Sequence, residues 1–260
     1  MKRWVLIILI VISSLGVRLL VNKPQIELVT PGKVVPEAVK SFKFIVMADI
    51  HNDNEELKKA IEKAKESNNE MVILAGDLTI NGNKNELEAV WQTLEKSGIK
   101  YLVIPGNHDV LKNQFGKVFG ISYQVMVKDK LKLLLIDNSL WSGLGEEQKK
   151  WIEKEVEGCN VIVCVAVMHM PLEHGLSGHV MGENNKKVTE EAEWLHQLLV
   201  NNGVKSIYAG HLHYADRYTI DGLETNLVGA ISRVRNNQTP KMDEVEFNGK
   251  ETFNKIVDIE

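Results

Sequence analysis

The stretch that first suggests chemistry is LVIPGNHD, residues 102–109. An apolar run of β-forming residues ends at Pro-Gly, and three polar side chains follow: Asn107, His108 and Asp109. Such a run is typical of a buried strand, which Pro-Gly ends. A strand entering a polar turn would explain Asn107 and Asp109, because both can bond their own backbone there. That interpretation leaves His108 without a role, and the octapeptide alone is equally compatible with a chemical site.

Four more polar clusters of this kind occur along the chain. They are ADIH at 48–51, GDL at 76–78, MHMP at 168–171 and GHLH at 210–213. Together the five clusters hold five of the eight histidines. Asp49, Asp77 and Asn107 are 28 and then 30 residues apart, about the length of one βαβ unit. We therefore expect these clusters to line one carboxyl edge of a sheet.

The donor atoms in these clusters predict a transition-metal site. Carboxylate and amide oxygens with imidazole nitrogens, and without thiolate, suit Mn, Fe or Zn better than calcium. The seven candidate ligands are Asp49, His51, Asp77, Asn107, His169, His211 and His213. Seven donors are too many for one tetrahedral zinc ion but fit two divalent ions that share a carboxylate. Such a pair activates water and stabilises an in-line displacement at phosphorus.

The elements that must position these residues alternate along the first part of the chain. Predicted strands at Phe42–Asp49, Met71–Asp77 and Tyr101–Asn107 are separated by apolar residues at helical spacing, which indicates βαβ units and a parallel sheet. Further on we predict hairpins over Tyr123–Asp137, at Asp221-Gly222 and at Asn248-Gly249. We also predict helices at Glu146–Val156 and Glu190–Leu199, and strands at Val161–His169 and Ser206–His211. The fold class is therefore a mixed α/β sandwich.

The ordered motifs DxH, GD, GNHD, a later histidine and GHxH closely resemble the calcineurin-like metallophosphoesterase superfamily. The resemblance covers Phe42 to about Gly229, and residues 144–156 are similar to a helix that precedes the fourth block in many members. It implies an αββα sandwich of two mixed β-sheets flanked by helices. It also implies a phosphohydrolase that cleaves a phosphomonoester or phosphodiester. The alternative is a non-catalytic scaffold on the same fold, although none of the motif residues has been lost.

The resemblance assigns a role to each motif residue. The first of two divalent ions (Mn, Fe or Zn) would be held by Asp49, His51 and His213. The second would be held by Asn107, His169 and His211. Asp77 would bridge both ions. His108 would face the scissile bond as acid and anion stabiliser, and Asp109 would orient the loop or His108, unless another carboxylate does so.

The chain lacks two motifs that are typical of particular subclasses of this family, which restricts the subclasses it resembles. Purple acid phosphatases place a metal-binding Tyr three residues after the Asp of GD, and Ile80 stands there in this chain. The longer GD-x-x-D-R-G block of Ser/Thr phosphatases is also absent. What remains resembles the bacterial class that includes cyclic-nucleotide and lipid-linked phosphodiesterases. No separate binding site for an organic cofactor is predicted.

Three histidines lie outside the motifs. His174 and His179 fall in the loop PLEHGLSGHVMGENN, where a solvated loop is the simpler interpretation and contact with substrate the alternative. His196 is predicted on a helix surface.

Charge and the first residues restrict partners and location. The 260 residues carry a net charge of −4 without a basic stripe, which argues against extended nucleic acid and favours a small-molecule or lipid-linked substrate. Lys2 and Arg3 precede an apolar stretch, so residues 1–21 are predicted to be a signal peptide or a membrane anchor. Residues 22–40 are predicted to be a linker and residues 41–260 the phosphoesterase domain, outside the cytoplasm. Nothing in the sequence predicts an oligomeric state.

Cys159 and Cys164 are the only cysteines in the chain. If residues 159–164 form a strand, the two are about 16 Å apart and too distant for a disulfide. We therefore predict a small core residue at Cys164 and a loop thiol at Cys159.

Overall fold

The computed structural model of the protein describes residues 41–259, which form eleven strands and five helices. The strands are β1 (Phe42–Met47), β2 (Met71–Ala75), β3 (Lys100–Ile104), β4 (Gln124–Lys128), β5 (Leu131–Leu135), β6 (Val163–Val167), β7 (Ser206–Ala209), β8 (Ala215–Ile220), β9 (Leu223–Val228), β10 (Lys241–Phe247) and β11 (Thr252–Asp258). The helices are α1 (Asn54–Glu66), α2 (Lys84–Ser97), α3 (Phe115–Val118), α4 (Glu146–Glu155) and α5 (Lys186–Asn201). The predicted signal or anchor segment and the predicted linker lie outside the described residues.

The strands form two mixed sheets. The first has the order β11-β10-β1-β2-β3, with β1, β2 and β3 parallel and β10 and β11 antiparallel. The second has the order β4-β5-β6-β7-β9-β8, with four parallel strands in the centre and antiparallel β4 and β8 at its edges. The parallel sheet and the two mixed sheets predicted from the motifs are confirmed.

Apolar side chains cover both faces of each sheet. In β1, Phe44 and Val46 belong to a cluster between the two sheets, whereas Ile45 and Met47 pack under α1 and α2. Successive side chains of a strand point to opposite faces, so a strand buried on both faces is apolar throughout. Helices α4 and α5 cover the outer face of the second sheet in the same way. The layers are therefore helix, sheet, sheet and helix, as predicted.

The three predicted hairpins are present. Lys128 pairs with Leu131, Ile220 pairs with Leu223, and Phe247 pairs with Thr252 across the turns. The turn at residues 221–222 has φ values of 49° and 82°, both in the left-handed region that a two-residue turn of this type requires.

The surface position predicted for His196 is wrong. Its helix α5 begins at Lys186, earlier than predicted, and His196 is only 6% exposed. Its Nδ1 lies 3.2 Å from Glu173 Oε1, and its Nε2 lies 3.4 Å from Asp221 Oδ2. The side chains of these two loop residues cover a face of α5 that the helical pattern of the sequence predicts to be exposed to solvent.

The prediction that Cys159 and Cys164 remain unpaired is also wrong, because the two form a disulfide. Strand β6 begins only at Val163, and the chain turns before it, which brings the two Cα atoms to 5.3 Å. Both cysteines are fully buried, so Cys159 is not an exposed loop thiol.

Reducing this disulfide should lower the stability of the protein. A closed loop of this length contributes about 2 kcal/mol by restricting the unfolded chain. Denaturant unfolding of the full chain with and without reductant measures the difference. The matched control carries both Cys159→Ala and Cys164→Ala, and its midpoint should not respond to reductant. If reductant leaves the wild-type midpoint unchanged, the bridge does not form.

Among residues 41–259, no helix is both long enough and apolar enough to cross a membrane.

Candidate metal centre

All five polar clusters lie where strands end, in the segments that follow β1, β2, β3, β6 and β7. Backbone hydrogen bonds join these segments: Asp49 N donates to Gly76 O over 3.0 Å, and His51 N donates to Asp77 O over 3.0 Å. His211 N donates to Asp49 Oδ2 over 2.9 Å and links the two sheets. The carboxyl ends of parallel strands meet at one edge, and both sheets contribute to it.

One group of candidate ligands contains Asp49, His51, Asp77 and His213, whose donor atoms all lie within 4.8 Å of one another. The Nε2 atoms of His51 and His213 are 3.0 Å apart. His51 Nε2 lies 3.7 Å from Asp77 Oδ2, and His213 Nε2 lies 3.7 Å from Asp49 Oδ1. Two carboxylates and two imidazoles therefore converge on one point.

A second group contains Asp77, His169 and His211. His169 Nε2 lies 3.2 Å from His211 Nδ1 and 3.4 Å from Asp77 Oδ1. Asn107 joins this group, because its Oδ1 lies 3.1 Å from His169 Nε2. Asp77 is thus common to both groups, with a different oxygen near each.

Backbone strain supports a role for these residues in holding ions. The φ angle is positive at five of the candidate ligands: Asp49, His51, Asp77, His211 and His213. Non-glycine residues rarely adopt this region, and such strain is concentrated at functional sites. Two ring nitrogens of the cluster, His51 Nδ1 and His211 Nε2, are buried without a hydrogen-bond partner. The donor atoms, the strained backbone that positions them and the unpartnered ring nitrogens fit a site for two divalent cations.

Three imidazoles of the site are held in the neutral form, which favours cation binding. Burial lowers the pKa of His51 to about 3 and that of His213 to about 4, with Arg235 adding to both shifts. Burial also lowers the pKa of His211. These imidazoles are therefore neutral near pH 7, and neutral imidazole is the form that binds metals.

Asp77 and His169 form a buried, oppositely charged pair. Burial acts to raise the pKa of Asp77, but His169 holds it below its usual value. Burial disfavours a charge on His169, yet Asp77 raises the pKa of the imidazole to about 9. Asp77 and His169 thus each favour the charged form of the other.

Asp109 has a positioning role in this structure. It is fully buried and accepts hydrogen bonds from Gly106 N (2.9 Å), Leu78 N (3.0 Å), Thr79 N (2.9 Å) and Thr79 Oγ1 (2.8 Å). It therefore fixes the loops after β2 and β3 to each other, and it makes none of these bonds to His108. Of the two roles considered for Asp109, the geometry supports orientation of the loop.

The glycine in LVIPGNHD also has a physical reason. A Cβ atom at Gly106 would lie 2.2 Å from Asp77 N and Oδ1. This distance is shorter than any van der Waals contact, so the position requires glycine. The strand therefore ends in Pro-Gly because the following turn passes directly over Asp77.

His108 lies beside the two ligand groups and belongs to neither. Its Nδ1 lies 2.6 Å from Ile80 O, so Nδ1–H donates to that carbonyl, and Nε2 lies 4.0 Å from Asp77 Oδ2. The side chain is partly exposed, in contrast to His51 and His169. This position is compatible with contact to a bound substrate.

Three residues near the site were not assigned a role from the sequence. The ring of His179, an exposed loop residue, stacks on that of His211 with 4.1 Å between centroids. Trp141, which is 42% exposed, contacts both rings. Arg235 Nη1 lies 3.3 Å from His108 Nε2. All three lie in loops without periodicity, where the sequence carries no signal.

The prediction of a solvated loop is wrong for His174. Its side chain is buried, its ring packs on Tyr218, and its Nε2 lies 3.2 Å from Tyr214 Oη and 3.4 Å from Asp216 Oδ2. It holds the loop after β6 against β8, away from the ligand groups.

A family model described as calcineurin-like phosphoesterase matches residues 42–215, more than half of the chain. The chain belongs to the calcineurin-like phosphoesterase family. The predicted family and the αββα fold are confirmed, and phosphoester hydrolysis with two divalent ions is a property of that family. The residue assignments within the site remain predictions that the geometry supports.

Curated relatives match parts of this phosphoesterase. A probable glycerophosphodiester phosphodiesterase GpdQ from Arcobacter nitrofigilis is 27% identical over 158 residues, 55% of this chain and 56% of the relative. A probable cyclic nucleotide phosphodiesterase from Ruthia magnifica is 36% identical over 83 residues, 28% of this chain and 36% of the relative. The matched region thus spans about half or less of these relatives.

Solved structures share the fold. A dimetal phosphatase from Danio rerio has a TM-score of 0.59 and 13% identity, covering 82% of this chain and 98% of that one. The purple acid phosphatase PPD1 from yellow lupin has a TM-score of 0.64 and 13% identity, covering 85% of this chain and 52% of that one. At these identities the likeness shows the fold alone.

Proposed function

We propose that this phosphoesterase hydrolyses a phosphodiester of a small or lipid-borne alcohol. The observation that carries the proposal is the pair of buried ligand groups that share Asp77. The curated relatives, which are named as phosphodiesterases, support a diester over a monoester. The net negative charge supports a compact substrate over a nucleic-acid strand.

The ligand groups assign each residue a task. Asp49, His51 and His213 would hold one divalent ion, Asn107, His169 and His211 would hold the other, and Asp77 would contribute to both. When bound, the two ions supply a nucleophilic water and neutralise charge on the phosphoryl group. His108 stays outside both sets. Its Nδ1–H is held by Ile80 O, and its Nε2, which lies 3.3 Å from Arg235 Nη1, is the ring nitrogen that would donate a proton to the departing alcohol oxygen as the P–O bond breaks. Asp109 holds the loops after β2 and β3 together.

A metal titration of the full chain tests this function. We expect no turnover after chelation, and turnover that saturates at two ions per chain when Mn, Fe(II) or Zn is added. A bis(nitrophenyl) diester should be cleaved faster than the nitrophenyl monoester. Turnover of the monoester alone would overturn the diester assignment. A protein that binds two ions and cleaves neither ester would be a scaffold.

We also propose that residues 41–260 function outside the cytoplasm. Lys2 and Arg3 before an apolar stretch support this location, because positive residues are retained on the cytoplasmic side. The disulfide between Cys159 and Cys164 is a second support, since structural disulfides persist in oxidising compartments.

A reporter that is active only in the cytoplasm, fused after Glu260, should therefore be silent. The matched control is the same fusion without residues 1–21, which should give a strong signal. A strong signal from the full chain would contradict export. The size of the full-chain fusion then distinguishes a cleaved signal, with cleavage near Ser14–Gly16, from a retained anchor.

A further inference from the structure

The loop between β9 and β10 places an arginine at the edge of the metal centre. Arg235 is half-buried, and its Nη1 lies 3.3 Å from His108 Nε2. Within residues 41–259, no carboxylate lies within ion-pair distance of this guanidinium. The neighbouring Arg233 differs, because it pairs with Glu56 over 2.6 Å. Arg235 also lies beyond residues 42–215, which the family model matches.

Backbone contacts hold this loop against the segments that carry the ligands. Ser232 N donates to Asp49 O over 3.0 Å, and Asn237 N donates to His213 O over 2.9 Å. Between these two anchors, Ser232 Oγ accepts the backbone N–H of Arg235 over 3.3 Å. The position of Arg235 is therefore set by the same residues that form the first ligand group.

The guanidinium of Arg235 lies beside His108, with no carboxylate partner among residues 41–259. Two divalent ions in the centre would increase the positive charge around it. A guanidinium without a carboxylate at such a place is suited to an anionic oxygen, to which it donates strong charge-assisted hydrogen bonds.

We propose that Arg235 is a substrate-binding residue that donates to a non-bridging oxygen of the phosphoryl group. The proposal rests on the proposed phosphoesterase function, because that function places a phosphoryl group between the ligands and His108. The contact between Arg235 and His108 places the guanidinium beside the imidazole that the proposed function assigns to the leaving oxygen. The phosphomonoester product of a diester and inorganic phosphate carry the same kind of anionic oxygen, so both would be bound by the same contact.

Calorimetric binding of inorganic phosphate to the full, metal-loaded protein tests the assignment without turnover. Arg235→Gln should weaken phosphate binding about 10- to 100-fold, the loss expected for a hydrogen bond between charged groups. Arg235→Lys should recover part of the affinity. Arg233→Gln is the matched control, since it removes the same charge two residues away, and it should bind phosphate like the wild type. Metal content should remain at two ions per chain in every variant.

Three results would overturn the assignment. Arg235→Gln could bind phosphate as tightly as the wild type, Arg233→Gln could lose as much affinity, or Arg235→Gln could lose its ions. The last would mean that Arg235 supports the loop and does not bind the ligand. A wild type that binds phosphate through Arg235 but cleaves no ester would support this site and refute the proposed hydrolysis, so the two failures are distinguishable.

Discussion

Replacing Asp77 with Asn should leave the protein unable to retain two ions and should reduce kcat/KM by about a thousand-fold or more. The size of this reduction follows from the several kcal/mol by which a two-ion centre lowers the activation free energy, at about 1.4 kcal/mol per tenfold in rate. Metal analysis of the purified variant and hydrolysis of a nitrophenyl diester are the two measurements.

The reason for this sensitivity is the position of Asp77 between the two ligand groups. Oδ2 faces His51 Nε2 at 3.7 Å, and Oδ1 faces His169 Nε2 at 3.4 Å. Oδ1 also accepts the backbone N–H of His108 over 2.9 Å. Asn keeps the size of the side chain and one acceptor, so the variant removes the shared charge with little change in packing.

The control for Asp77→Asn is His213→Ala. His213 belongs to one group only, so this variant should lose mainly one ion and keep the other. A finding of two tightly held ions in Asp77→Asn would refute the bridging assignment. Equal loss of both ions in His213→Ala would show that the two groups are not separate sites.

Replacing His108 with Ala should affect hydrolysis according to the leaving group. A general acid contributes about a hundred- to ten-thousand-fold in rate, and an alkyl alcohol needs its proton. Nitrophenolate is already a stable anion and needs little help. We therefore expect a large loss on alkyl diesters and a small loss on nitrophenyl diesters, measured as kcat/KM for a matched series.

Metal content is the control for His108→Ala. His108 lies outside both ligand groups and binds Ile80 O through Nδ1, so the variant should retain two ions. Equal losses on alkyl and nitrophenyl esters would instead assign His108 to charge stabilisation at the phosphoryl group. Loss of an ion would make it a ligand and would contradict the division of roles.

The sequence by itself determined where the site lies and which atoms it offers. Apolar runs that end in Asp, Asn or His mark strand ends, and the spacing of about one βαβ unit brings three of them to one edge. These signals are local, because a strand buried on both faces must be apolar and its polar end must lie outside it. The hairpins at residues 221–222 and 248–249 were predictable for the same reason, since their turns have a specific residue preference.

Only the tertiary structure decided which residues from irregular segments join the site. His179 on His211 and Arg235 beside His108 depend on contacts between distant parts of the chain, and so does the choice between the two roles considered for Asp109. The disulfide of Cys159 was missed because a turn replaced the extended segment assumed for it. Loop sequences have no periodicity from which the direction of a side chain can be inferred. The positions of these side chains are therefore set by the packing of the two sheets.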